Sequence, residues 1–481
     1  MEKIKEVQKL GNKATTDSER MEVFKKAKEI YEQQQSSEGA IVSYLKILSS
    51  LISKWKNEFE RKNAVEEAKL VFEKYHFSKK IALEYLYILS NITWNQDEKS
   101  LKEEIVETAG NIYGEHNQDE AIASIYLIIL NSLLLKQKFR FEWEITIEKA
   151  NKIYKQFPFS KRVAVDYINV LINLSTKQEL LELSNTAEQA RCIHDEYNIL
   201  DTAIAYIMIL KKLSWKQDNV IERKQTEEIA RSIFESYQHE RIASNYISIL
   251  SRRLFKQEDN TLWINRVDVD NHELINIEEK VKVIYKKYIS SLIVSTQYIY
   301  FLSILSWKKE NEFEIEKLVK EARNVYQQYS EDFEVASAHI ITLSRLTWIR
   351  KDKKIRKKLI DEAKKIFKKH QNSEKVSIEY IKMLYKLALK QGDEHDLLHT
   401  VNNAKLVYEK HQHNDNVITL YLKILLVLSW KQSGEERQRA TDLDIINILK
   451  FNTKLLYIFD EHIDTMVNLN NRKKFSYRLK Y

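Results

Sequence analysis

Glycine and proline are almost missing from this chain, which has six glycines and one proline, Pro158, in 481 residues. Tight hairpins and turn-rich sheets lean on those two residue types, so a β-rich fold is excluded and helices joined by polar turns remain. The six glycines, Gly11, Gly39, Gly110, Gly114, Gly392 and Gly434, are also too scattered to build a loop that brings backbone amides to a phosphate. The single cysteine, Cys192, excludes an intramolecular disulfide and fits a reducing, cytoplasmic compartment. On an apolar helix face, it is expected to be buried filler. No hydrophobic run approaches the ~18 residues needed to cross a bilayer, and Met1 to Leu10 is charged throughout, so neither a secretory leader nor a membrane span is expected. Nor does one charge dominate: 78 basic residues face 70 acidic ones, and the net charge of +8 permits a polyanionic partner without demanding one. The abundance of Lys, Ile and Asn fits an AT-rich genome such as that of a bacterium or phage.

What is present is a repeat. An aromatic anchor recurs at Tyr44, Tyr85, Tyr126, Tyr167, Tyr206, Tyr246, Tyr298, His339, Tyr380 and Tyr421, with spacings of 41, 41, 41, 39, 40, 52, 41, 41 and 41 residues. Leucine follows four residues after every anchor, from Leu48 to Leu425. Apolar residues at steps of one, three, four and seven trace a wide face on one helix. A second helix carries Ala-x-x-aliphatic-aromatic, as in Ala27 to Tyr31, Ala68 to Phe72, Ala109 to Tyr113 and Ala363 to Phe367, with Val281 in place of one alanine. A small residue there lets two helices approach closely, and the ring beside it fills the gap between repeats.

The turn after the anchor helix reads Trp215-Lys216-Gln217, Phe255-Lys256-Gln257, Trp430-Lys431-Gln432 or, most fully, Lys390-Gln391-Gly392-Asp393. This turn and the Ala-x-x-x-aromatic phrase resemble the tetratricopeptide repeat (TPR). Leu-Ser pairs such as Leu48-Ser49 and Leu302-Ser303 stand where that family has Leu-Gly. Two features depart from it: the period is about 41 residues instead of 34, and the proline after the second helix is absent. The extra residues precede the second helix, with Leu101 in register with Ile105 and Ala109, and predict added turns on that helix. The expected fold is all-α, a right-handed superhelical solenoid of about ten helix-turn-helix repeats. The array occupies residues 20–440 with an insertion within 258–280. Residues 1–19 form an N-terminal cap, and residues 441–481 form a capping helix and basic tail.

The TPR resemblance implies that the first helix of each repeat lines a groove. The sixth position after the anchor, Asn173, Lys212, Arg252, Arg345 and Lys386 among others, is expected to face it, since neither capping nor core demands charge there. Three residues further on stand Trp94, Trp215, Phe255, Trp307, Trp348 and Trp430, most followed by a lysine: Lys216, Lys256, Lys308, Lys431. Cations edged by aromatic faces suit an acidic or carboxylate-bearing peptide. Inter-repeat packing explains the tryptophans as well, and single-stranded nucleic acid is the alternative ligand, helped by the cationic run Arg350 to Lys358. His395 and His399, beside Glu394 and Asp396, make only an incomplete metal site. No nucleophile, base and orienter can be assigned together, so neither an enzyme nor a cofactor is expected. On this reading, reversing Lys212, Arg252, Arg345 and Lys386 to Glu abolishes binding and leaves the melting temperature unchanged.

Overall fold

The computed structural model describes residues 2–55, 57–95, 99–254, 271–432 and 434–452. Among them are 22 α-helices and no strand, in agreement with the all-α expectation. The helices form eleven pairs. Glu2–Lys13 and Asp17–Gln33 make a pair ahead of the first anchor; only the first of these helices lies within the segment expected to be a cap, and the second runs on into the array. The last helix, Glu435–Phe451, runs through residue 440. Residues 258–270 of the insertion, Phe255, Lys256 and the basic tail lie outside the described residues.

The chain divides into two compact units, Met1–Gln238 and His239–Tyr481, with six and five helix pairs. Within each unit the first helices pack against their equivalents in the next pair, and the second helices pack against first helices. Burial follows from this arrangement. The first helix Glu120–Lys136 buries twelve residues, from Ile122 to Leu134, whereas the following second helix, Arg140–Gln156, buries only Trp143, Thr146, Ala150 and Ile153. Most first helices have 17 residues and second helices 17 or 18; Lys99–Glu115 holds Ile105 and Ala109 in its buried stripe as the register predicted, while Leu101 is only partly covered and Lys102 is buried beside it.

The repeated alanines have no exposed surface, and Val281, in their place, has none either. Beside them, each second-helix ring meets the next anchor. Tyr31 stacks on Tyr44, Phe72 on Tyr85, Tyr154 on Tyr167 and Tyr408 on Tyr421, with ring centres 4.6–4.8 Å apart. Such a pair adds about 1 kcal/mol to the burial of two rings. At some anchors the polar tip reaches a carboxylate on the following second helix: Tyr298 donates to Glu321 at 2.5 Å, and His339 contacts Glu362 at 3.1 Å. Burial alone would raise the Glu362 carboxyl, but hydrogen bonds from His339 and Arg323 bring it down to about 2.

The Lys-Gln turn has two jobs. Its glutamine binds a buried threonine on the following helix, in Gln137–Thr146, Gln178–Thr186, Gln217–Thr226, Gln391–Thr400 and Gln432–Thr441, at 2.8–2.9 Å. Its lysine crosses to the preceding repeat and donates to carbonyls at the C-terminus of that repeat's first helix. Lys177 reaches Gln137 O at 2.6 Å, Lys431 reaches Gln391 O at 2.6 Å, and Lys390 reaches Trp348 O. Those carbonyls have no partner within their own helix and lie at the negative end of its dipole. At the opposite end of the pairs a ring does similar work: Tyr197 donates to Pro158 O, Tyr329 to Ile289 O, His370 to Ser330 O and His411 to Gln371 O.

Cys192 is exposed, contrary to expectation. The buried stripe of its helix runs through Leu183, Thr186, Ala187, Ala190, Ile193 and His194, which leaves Cys192 on the outer face, its sulfur 3.9 Å from Glu188.

Gln178→Leu is expected to cost about 1–3 kcal/mol in chemical denaturation by stranding the Thr186 hydroxyl. The double variant with Thr186→Val should cost less than the sum of the singles. Glu362, whose folded value is depressed, stabilises fully above its ordinary 4.5 and loses that contribution as pH falls toward about 2. Glu362→Gln should therefore lower stability by about 2 kcal/mol at neutral pH and flatten the loss of stability in acid.

Candidate functional site

The sixth position after the anchor lies at the seam between successive first helices, and this corrects the expectation that it is free for a ligand. Ser132 there is fully buried, accepts from Lys102 Nζ at 2.7 Å and donates to Thr93 O at 3.0 Å. Asn173 donates to Asn131 at 2.8 Å, just as Asn91 donates to Ser49 at 2.9 Å. Lys212 donates to Ile172 O at 2.5 Å, and burial, then the neighbouring Lys211, push its ammonium down to about 8. Arg252 is buried. Arg345 donates to Ser306 O at 3.1 Å and Lys309 O at 3.3 Å. Capping does demand charge at Lys212 and Arg345, because each meets the exposed carbonyl end of the neighbouring first helix.

The lysines after the aromatics behave similarly. Lys216 donates to Gln178 O and pairs with Glu179 at 3.3 Å. Lys308 is half-buried, and burial lowers its ammonium. The tryptophans remain at the surface to differing degrees: Trp215 is 41% exposed, and Trp307 and Trp348 are partly covered.

In the second unit the structure brings three of the expected residues together. The Arg345 guanidinium lies 4.9 Å and the Lys386 ammonium 4.1 Å from the centre of the Trp307 ring. Lys386 makes no hydrogen bond or ion pair among the described residues. Burial pushes its ammonium down to about 8, with Lys382 and Arg345 adding repulsion and Glu379 opposing it. Lys423, on the next first helix, is likewise half-buried and lowered by burial. Partly desolvated cations gathered on an aromatic face without a matching carboxylate can lower their own cost by accepting an anion.

In the first unit a polar set that the sequence reading missed crosses three first helices. Arg162 donates through Nε to Ser124 Oγ at 2.9 Å and through Nη2 to the Tyr87 hydroxyl at 3.0 Å. Ser124 also bonds to Asp166, whose carboxyl burial raises although Ser124 and Arg162 pull it down. Ser124, Arg162 and Asp166 border an open cleft of about 390 Å³ with Ile128, Val165 and Ile199 among its apolar walls and Lys161 and Asp201 at its rim.

The two histidines considered for a metal do not converge. Asp393, His395 and Asp396 place ligand atoms within 4.8 Å of one another, while His399 bonds to Asn403 at 3.3 Å. Asp393 caps its helix by accepting from Asp396 N, and Asp396 pairs with Lys353 at 3.2 Å.

The chain is an α-helical repeat protein. No protein-family model matches it, and no curated protein matches it either. A solved structure described as "A conserved phosphorylation switch controls the interaction between cadherin and beta-catenin in vitro and in vivo" is similar over 90% of this chain and 88% of that one, at 11% identity and a TM-score of 0.37. A likeness that distant carries no argument about function. Among the described residues, no helix is long and apolar enough to cross a membrane.

Arg345→Met is expected to lower the melting temperature, because two carbonyls lose a charged donor worth about 2 kcal/mol. Lys386→Met should leave it unchanged or raise it, since a half-buried ammonium without a partner gives way to an apolar chain. Thermal melts of the two variants side by side check the contrast.

Proposed function

We propose that this chain is a non-enzymatic, TPR-like scaffold of the cytoplasm that holds a protein or peptide on its first-helix face. Acidic side chains of the partner settle on the Trp307, Arg345 and Lys386 patch. The observation that carries this reading is Lys386: a half-buried cation on an aromatic ring with no hydrogen bond or ion pair among the described residues. Arg345 positions the ring and caps the neighbouring helix, and Lys386 is left to meet the ligand. A peptide carboxylate there would replace lost hydration with a charge-assisted hydrogen bond. Single-stranded nucleic acid is supported less well, since Arg350, at the head of the cationic run, is already paired with Glu312 and Glu316 at 2.9 Å.

The test is fluorescence anisotropy of a labelled Glu-rich peptide and, separately, of labelled oligothymidylate. Preference for the peptide is expected, with affinity falling about tenfold in Lys386→Met. Binding should also weaken as pH rises through about 8, because the charged lysine is lost there, well below its ordinary 10.5. Lys386→Arg should remove that pH dependence. Equal or tighter binding of the oligonucleotide would overturn the reading.

A further inference from the structure

The polar set of the first unit has a twin in the second. Tyr87, Ser124, Arg162 and Asp166 correspond to Tyr300, Ser337, Lys375 and Glu379, each 213 residues later. Ile128 and Val165 correspond to Ile341 and Ile378 at the same offset. In both units the tyrosine stands two residues after an anchor, the serine two before the next, and the cation five before the one after that. Tyrosine follows an anchor by two residues only in these two repeats.

One position differs in kind. The second unit has Glu334 where the first has Ala121, again 213 residues apart. The Glu334 carboxylate accepts from the Tyr300 hydroxyl at 3.0 Å and pairs with Lys375. Tyr300 also contacts Ser337 at 3.0 Å, and the Lys375 ammonium lies 5.0 Å from the Tyr300 ring centre. The tyrosine and the cation are thus closed around a glutamate of the chain itself, and the serine holds the tyrosine hydroxyl and the backbone carbonyl of that glutamate. In the first unit no carboxylate among the described residues bonds to the equivalent tyrosine or pairs with the equivalent cation. Ala121 ends at Cβ, and Arg162 is exposed and has no ion pair among the described residues.

We infer that the first unit binds, at Tyr87, Ser124 and Arg162, a glutamate side chain of a partner polypeptide, which takes the place that Glu334 takes in the second unit. The second unit thereby shows the bound arrangement with an internal ligand. The guanidinium and the phenol supply donors to the carboxylate, as Lys375 and Tyr300 do for Glu334. The apolar walls Ile128 and Val165 receive the residues flanking the glutamate. Asp166 sets the limit on ligand charge, because a second carboxylate entering the cleft would meet it. The inference rests on the peptide-binding reading for its ligand class, but uses none of the residues around Trp307.

The experiment follows the Arg162 Nε–H signal by NMR in the full chain, with the signal identified by its loss in Arg162→Lys. The probe is acetyl-Ala-Glu-Ala-amide, and the same peptide with Gln is the control. A saturable shift with the Glu peptide and none with the Gln peptide is expected. Ala121→Glu, which installs the second unit's internal ligand at a helix start where acid is favoured, should keep the fold and weaken the peptide by about tenfold or more. Glu334→Ala combined with Lys375→Arg should rebuild the open set in the second unit and add a second responding arginine signal. No shift in the wild type, a shift with both peptides, or an unchanged response in Ala121→Glu would each overturn the inference. Lys386→Met should leave the Arg162 response intact, so failure at the Trp307 patch is read separately.

Discussion

Each first helix ends in backbone carbonyls that its own turns cannot satisfy, and the next repeat supplies the missing donors. Lys177, Lys216, Lys390 and Lys431 reach back about forty residues to do so, joined from the helix interior by Lys212 and Arg345. A carbonyl at a helix C-terminus carries the negative end of the dipole, so a cation answers it better than a neutral donor. The requirement recurs with every repeat, which is why basic residues recur at the turn. It also decides what is left for a ligand: a cation committed to its neighbour's backbone cannot be released cheaply to a partner.

Around this contact the remaining periodic residues find their places. The ring stacks between a second helix and the next anchor set how one pair follows another, and the alanines beside them allow the close approach. The glutamine next to the capping lysine holds the turn to its own second helix through a threonine. Turn, cap and stack all act between neighbours in sequence or in stacking order, so a long array can be built from a short phrase.

Departures from the phrase are where chemistry becomes available. Lys386 stands at a capping position but lies on Trp307 instead of on a carbonyl. Ala121 stands where Glu334 closes an otherwise matching set of side chains. In both cases the periodic structure states what a position normally does, and the exception leaves a donor without its usual acceptor.

The helical class, the pair of helices per repeat and the buried alanine and anchor positions were legible in the sequence, because each depends on spacing along one helix or on the nearest turn. The sequence even held the signal for the paired sites, in the recurrence of Tyr87, Ser124 and the cation at Arg162 after 213 residues, a period of five repeats instead of one. It misplaced Cys192 and the sixth position after the anchor, since which side of a helix meets the next repeat depends on how the pairs stack. It also could not tell a capping lysine such as Lys212 from one on a ring such as Lys386. Both have the same composition and spacing, and only the direction of a long, flexible side chain across the seam separates them. The sequence by itself therefore determined the repeating framework, whose contacts are local and periodic. The tertiary structure alone decided which cations and hydroxyls are consumed by that framework, because those choices are made between residues about forty positions apart.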